Sequence, residues 1–136
     1  MTPDEMKNLV KKCMIGFSAG DLSALEGSFH DDYTRHVTSG LKGVSSFAEH
    51  VEDLRNRHKV LREARFEIHE MIAEGNTVAV RFTMTGVHVG EFLGIPPTGK
   101  AIRRTSMAFF HIRDGKIADS YIIADMYGMM HELQKG

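Results

Sequence analysis

Apolar side chains recur along this chain with two different periods. From Met6 onward, Leu9, Val10, Cys13, Met14 and Phe17 fall three and four apart, which puts them on one face of an α-helix. Thr2, Pro3 and Glu5 supply its start: an N-cap, a proline at the first helical position and a capping-box glutamate. Gly20 ends it, and Asp21 can cap a short second helix through Leu22 and Leu25. A third helix follows "GVSS". Val44, Phe47, Val51 and Leu54 line one of its faces, and Glu49, Glu52, Asp53 and Arg55 the other.

Beyond Arg65 the period falls to two. "RFEIHEMIAEG" is strand-like, and "EGN" reads as a tight turn. In "TVAVRFTMTGVHVG", Val78, Val80, Phe82 and Met84 should share one face, with Ala79, Arg81, Thr83 and Thr85 on the other. A strand from about Ile102 to Arg113 follows, then the hairpin signal Asp114-Gly115 and the strand "KIADSYIIAD". In the tail, Met126, Met129, Met130 and Leu133 return to helical spacing. Helices first and long antiparallel strands afterwards, with no linker between, predict a single α+β domain over residues 1–136.

Composition narrows the function classes. A chain of 136 residues, 42% hydrophobic and 26% charged, suits one domain with a real core. The formal net charge is −1 and no basic block occurs, which argues against nucleic acid as a partner. No apolar run approaches the ~20 residues of a membrane span, so no membrane partner is expected. Residues 1–20 contain no apolar h-region, so no signal peptide is expected. The single Cys13 has no internal disulfide partner, which fits a reducing, cytoplasmic setting. On an apolar helix face, Cys13 reads as packing and not as a nucleophile. The zinc, nucleotide and hydrolase signatures HExxH, paired cysteines, P-loop, GxGxxG and GxSxG do not occur.

The candidate chemistry lies in histidines and one aspartate. Of eight histidines, His30, His50, His58, His69 and His131 lie among charges and read as surface residues. His111 ends the set Met107, Phe109, His111 in a long strand, so it is either a satisfied core residue or a functional group. Asp125 follows "YIIA" and precedes "MYGMM". A carboxylate amid that apolar surface caps the last helix, serves as an acid or base of raised pKa, or does both. His88, between the glycines of "TGVHVGEF", and His36, after "DDYTR", are weaker candidates. The loop "GEFLGIPPTGK" is too long and too stiff for an ordinary hairpin connection and carries Phe92, Leu93 and Ile95.

"GVHVGEFLGIPPTGK", "HIRDGKIADSYIIADMYGMMHELQKG" and, more loosely, "DDYTRHVTSGLKGVSSF" together resemble the SnoaL-like polyketide cyclase family. That family belongs to the NTF2-like superfamily. The resemblance implies an NTF2-like cone, a curved, mostly antiparallel β-sheet with about three N-terminal α-helices. It also implies a cofactor-independent, intramolecular aldol closure of a small apolar or aromatic polyketide-like substrate, with no metal. By the same resemblance Asp125 falls on the catalytic acid/base, with His111 or His88 as hydrogen-bond donor to the enolate or support for the aspartate. His36, Phe47, Phe82, Phe92 and Tyr121 are the implied substrate-binding residues. Tyr121 stands where relatives usually have Trp, and "LREA" and "LQKG" depart from the family pattern; these departures bear on the substrate. An isomerase or hydrolase of a small apolar ligand, or a non-catalytic ligand-binding protein, is the alternative on the same fold. The proline loop closes or lines the pocket, or else packs against a second subunit.

Three structural expectations follow. Asp125 lines the cavity, and His111 approaches it there. Arg113 pairs near Lys116, Ile112 near Ile117, and His111 opposite roughly Ala118. Ala108, Phe110, Ile112 and Ile122 project outward, on the far face of the sheet from Met107, Phe109 and His111, and so enter a homodimer interface of at least about 1,000 Å².

Overall fold

The computed structural model describes residues 1–37 and 43–135; positions 38–42, inside the "DDYTRHVTSGLKGVSSF" stretch, and Gly136 lie outside the described residues. Helix α1 (Pro3–Ala19) forms as its pattern predicts. Thr2 Oγ1 accepts the Glu5 N–H and Glu5 Oε1 accepts the Thr2 N–H, so two otherwise orphaned donors are satisfied. The helix buries Met6, Val10, Cys13, Met14 and Phe17. A 3₁₀ turn (Leu22–Leu25), capped by Asp21, takes the place of the short second helix. Helix α2 (Phe47–Arg57) starts at a second capping box, Ser46 with Glu49. Val44 is not part of it but lies in the short strand β2 (Val44–Ser46). Helix α3 (Met126–Gln134) follows the last strand.

The other strands are β1 (Phe29–Val37), β3 (Leu61–Glu74), β4 (Thr77–His88), β5 (Ala101–Arg113) and β6 (Lys116–Ala124). They form one curved sheet in the order β2-β1-β6-β5-β4-β3. All pairings are antiparallel except β1 with β6. The β5–β6 turn has Asp114 and Gly115 both at positive φ, the type I′ form that the right-handed strand twist favours. Arg113 pairs with Lys116 and Ile112 with Ile117 as expected, but a bulge then sets His111 opposite Asp119 instead of Ala118. The β1 strand itself was not legible, because a register shift between Phe29 and Thr34 breaks its alternation.

The faces of β5 are the reverse of the expectation. Val78, Val80 and Phe82 on β4 and Ala108, Phe110 and Ile112 on β5 are buried against α1 in the principal core. Met107 and Phe109 are exposed on the outer face, with His111 beside them. Apolar residues occupy both phases of this strand, so alternation alone left the phase open, and a one-residue slip exchanges the whole set. Ile122 likewise packs against the core, and the Ser120 hydroxyl is buried against the Tyr33 hydroxyl (2.6 Å).

A second apolar cluster occupies the other end of the inner face. Met129 and Leu133 of α3 pack on Leu61, Met84 and Ile102, and Ile95 of the proline loop is buried with them. Phe92 and Ile95 exchange backbone hydrogen bonds across a two-residue turn whose central Leu93 and Gly94 both have positive φ. The loop therefore seats Ile95, with Phe92 half-buried, in its own protomer's second cluster.

Candidate active site

Between the two apolar clusters the inner face turns polar. Strand β5 runs Ile102, Arg104, Ser106, Ala108 along this face, and β1 presents Tyr33 and Arg35. From above, α2 contributes His50 and Arg57. The His50 ring lies 4.4 Å from that of Phe17, and Phe66 stands edge-on to Phe82 at 5.4 Å. The Arg57 guanidinium sits 5.4 Å over the Phe66 ring and donates to the Phe17 carbonyl. Arg104 reaches the Sδ of Met126 at the start of α3 (3.8 Å).

This polar zone is not hydrogen-bonded to completion. Arg35 Nε, Arg104 Nε and Ser106 Oγ are buried without a partner among the described residues. Burial pushes the Arg104 guanidinium down to about 10, and the like charges of Arg35 and Arg57 push the same way. Burial, and then the Arg35 and Arg57 charges, push His50 down to about 3, so it is a neutral imidazole at physiological pH. Sequence reasoning missed this group. His50 lies on the same helical stripe as Phe47, Val51 and Leu54, which was the available signal that it faces inward. For Arg104 the signal was the adjacent pair Arg103-Arg104, since one member of such a pair in a strand must face inward.

The expected site residues separate. His111 is on the outer face: its Nδ1 is hydrogen-bonded to the Asp119 carboxylate, and its ring stands edge-on to Tyr121 at 5.7 Å. His36 stacks on the other side of Tyr121, 4.2 Å away and nearly parallel. His111, His36 and Tyr121 therefore form a surface cluster and do not line the interior, and His111 does not meet Asp125 there. The phase of β5 places His111 on this face, and the bulge in β6 brings Asp119 opposite it.

Asp125 is exposed at the rim, where β6 ends and α3 begins. Its N–H donates to the Thr105 carbonyl (2.9 Å), and its Oδ1 caps α3 by accepting the Gly128 N–H (2.8 Å). Its side chain is open to solvent and not enclosed as expected. His88 is the most buried of the candidates, only 1% exposed on the inner-face phase of β4. Thr98 offers His88 Nδ1 both its backbone N–H (3.2 Å) and its hydroxyl (3.0 Å), which assigns the ring proton to Nε2. That Nε2 is buried and has no partner among the described residues. Of the implied substrate-binding residues, Phe82 is core, Phe47 stands edge-on to Phe29 at 4.8 Å, and Phe92 rests on the second cluster. Two open surface clefts, beside α1 and beside Phe29 and Phe47, contain none of Asp125, His88 and His111.

The family model for SnoaL-like polyketide cyclases matches residues 8–133. The chain belongs to that family. Nogalonic acid methyl ester cyclase of Streptomyces nogalater is 29% identical over 120 residues, covering 86% of this chain and 88% of the relative. Aklanonic acid methyl ester cyclase AcmA of Streptomyces galilaeus is 26% identical over 127 residues, covering 91% and 87%. Among solved structures, TsrD of Streptomyces laurentii superposes with a TM-score of 0.85 at 21% identity, covering 98% of each chain. IdmH of Streptomyces antibioticus gives 0.84 at 23% identity, covering 96% of this chain and 99% of its own. At those identities the structures speak to the fold alone, and the fold they share is the cone expected from the sequence.

Proposed function

We propose that this member of the SnoaL-like family closes a ring on an aromatic polyketide by intramolecular aldol addition, without metal or redox cofactor. The observation that supports the reading most is the unspent set of donors on the inner face: Arg104 Nε, Arg35 Nε, Ser106 Oγ and His88 Nε2. Aldol closure develops negative charge first on an enolate oxygen and then on an alkoxide, and fixed donors in a water-poor chamber stabilise that charge. The reaction conserves every atom and electron: one C–H bond is broken, one C–C bond forms, and the proton returns to the new alkoxide. It therefore calls for no external oxidant or reductant.

Asp125 is the base in this reading. Gly128 holds one of its oxygens, and the other takes the α-proton. Because the residue lies at the rim, the flat substrate itself excludes water from it on binding. The donor role passes from His111 to the interior groups, with Arg104, which contacts Met126 beside Asp125 in sequence, at the rim end of that set. The test is turnover of nogalonic acid methyl ester and of its free acid, read as an isomer of unchanged mass with a shifted absorption spectrum. Asp125→Asn should lower the rate by about 10²–10⁴-fold with the fold intact. A full rate in that variant would sink Asp125 as base.

The proposal includes a homodimer through the outer face. Met107, Phe109, Ile123 and Ile72 are each 54–61% exposed there. These, and not Phe110 and Ile112, would fill an interface of about 1,000 Å² or more. Light scattering at micromolar concentration should give twice the chain mass, and Phe109→Glu should give a monomer; a monomeric wild type refutes it. We place the protein in the cytoplasm, where a free thiol such as Cys13 stays reduced.

A further inference from the structure

Four nitrogen-bearing side chains converge on the interior with little to neutralise them. Arg57 spends its guanidinium on a carbonyl and on the face of Phe66, and Arg104 spends part of its own on a thioether. All three partners are electrically neutral. The charges that act on Arg104 are those of Arg35 and Arg57, and the charge that acts on Arg57 is that of Arg35; all are positive. Asp53 of α2 adds a negative charge near Arg35. His50, neutral beside them, adds a hydrogen-bonding nitrogen and no charge of its own. A protein interior ordinarily pairs each buried cation, because an unpaired one keeps its desolvation cost without a Coulombic return. Here three guanidinium groups are gathered, two with a buried Nε left unsatisfied, and a buried Ser106 hydroxyl lies next along the strand from Arg104.

We propose that Arg35, Arg57 and Arg104, with Ser106, form an anion-binding floor in the cone, and that it takes an ionised carboxylate carried by an aromatic ligand. Guanidinium is the side chain suited to this, since its planar fork donates two parallel hydrogen bonds to a carboxylate. The aromatic body of such a ligand would lie between Phe66 and Phe82 on one side and α3 on the other. The two methyl ester cyclases described above are named for substrates in which a carboxyl group is masked; the floor described here selects the unmasked acid. The inference rests on the proposed function only in taking this interior as the ligand chamber.

The experiment needs no turnover. Anthraquinone-2-carboxylate and its methyl ester are titrated into the wild-type protein by calorimetry. The acid should bind at least about tenfold more tightly than the ester, a difference that one or two charge-assisted hydrogen bonds supply. The side-chain Nε–H resonances of Arg35 and Arg104 should shift with the acid and not with the ester. Arg104→Met and Arg35→Met should each erase most of the preference, and Arg104→Met should not lower the melting temperature, because removing an uncompensated buried charge is often neutral or stabilising. Equal binding of acid and ester by the wild type overturns the proposal, whatever the variants do. A preference that survives both substitutions overturns it too. Acid binding without any ring closure would count against the proposed function and leave the anion floor standing. Ring closure of the ester with no preference for acid would do the reverse.

Discussion

His50 offers a quantitative test of how the interior is built. In the folded protein its pKa is pushed down to about 3, by burial first and by the Arg35 and Arg57 charges second, whereas in the unfolded chain it returns to its ordinary 6.5. The unfolded state therefore binds one proton more than the folded state throughout the window between those values, so stability rises with pH across it and is lost as the pH falls. Between pH 7 and pH 5, linkage gives a loss of about 2 kcal/mol from this one group. The figure changes little if the folded value lies a unit higher, because at pH 5 the folded imidazole is still mostly neutral. Urea melts of the wild type and of His50→Gln at the two pH values isolate it, since the other titrating groups are common to both proteins. The wild type should lose about 2 kcal/mol more than the variant on going to pH 5, and the His50 ring carbon should show no NMR titration step above pH 5. An equal loss in the two proteins, or a His50 titration near that of an exposed histidine, would refute the claim that this side chain is held neutral inside the cone.

Three shorter predictions concern the frame around the site. A Cβ at Gly90 would lie 1.9 Å from the Lys59 carbonyl oxygen, a backbone atom without room to retreat, so Gly90→Ala should destabilise by at least about 1–3 kcal/mol in thermal melts. Burial pushes the Cys13 thiol up, so the native protein should react with a disulfide reagent only on the timescale of unfolding; rapid modification under native conditions would contradict the packing of α1. Tyr33→Phe strands the buried Ser120 hydroxyl and should cost about 1–3 kcal/mol in chemical denaturation, with the companion Ser120→Ala change restoring part of it.

The parts of the fold legible in the sequence are those whose signals are local. Helix α1 and the Asp114-Gly115 hairpin each carry their caps or turn residues within a few positions, and no distant contact is needed to specify them. Strand β1 was hidden because "FHDDYTRHV" pairs with β6 across a register shift, and its charges are tolerated only because neighbouring elements receive them: Asp32 pairs with Arg113, and Arg35 turns inward. The phase of β5 was hidden for a different reason. Met107 and Phe109 are as apolar as Ala108, Phe110 and Ile112, so only α1, packing on one side, decides which set is core. His111 followed that error outward. The interior arginines escaped notice because a guanidinium reads as surface unless its neighbours in phase are examined.

The proline loop, too stiff for an ordinary connection, takes part in holding the last helix over the inner face of the sheet. Ile95 enters the second cluster beside Met129 and Leu133, His88 fastens Thr98 from below, and two residues further on Lys100 turns its ammonium to the end of α3. There Lys100 Nζ donates to the Glu132 carbonyl (3.0 Å) and to that of Lys135, carbonyls that the helix end leaves unsatisfied. A cation in that position also meets the negative end of the helix dipole, for a contribution of about 0.3–1 kcal/mol. Lys100→Met keeps the stem that packs along the loop and removes the charge. By that figure the opening of α3 should become about two- to fivefold more frequent, since 1.4 kcal/mol is tenfold. Native-state hydrogen exchange reads this directly: amides of α3 should lose protection by that factor while those of α1, which packs in the other cluster, keep theirs. Equal loss in both helices would mean that the two clusters open together, and no loss in either would mean that the ammonium does not hold the helix.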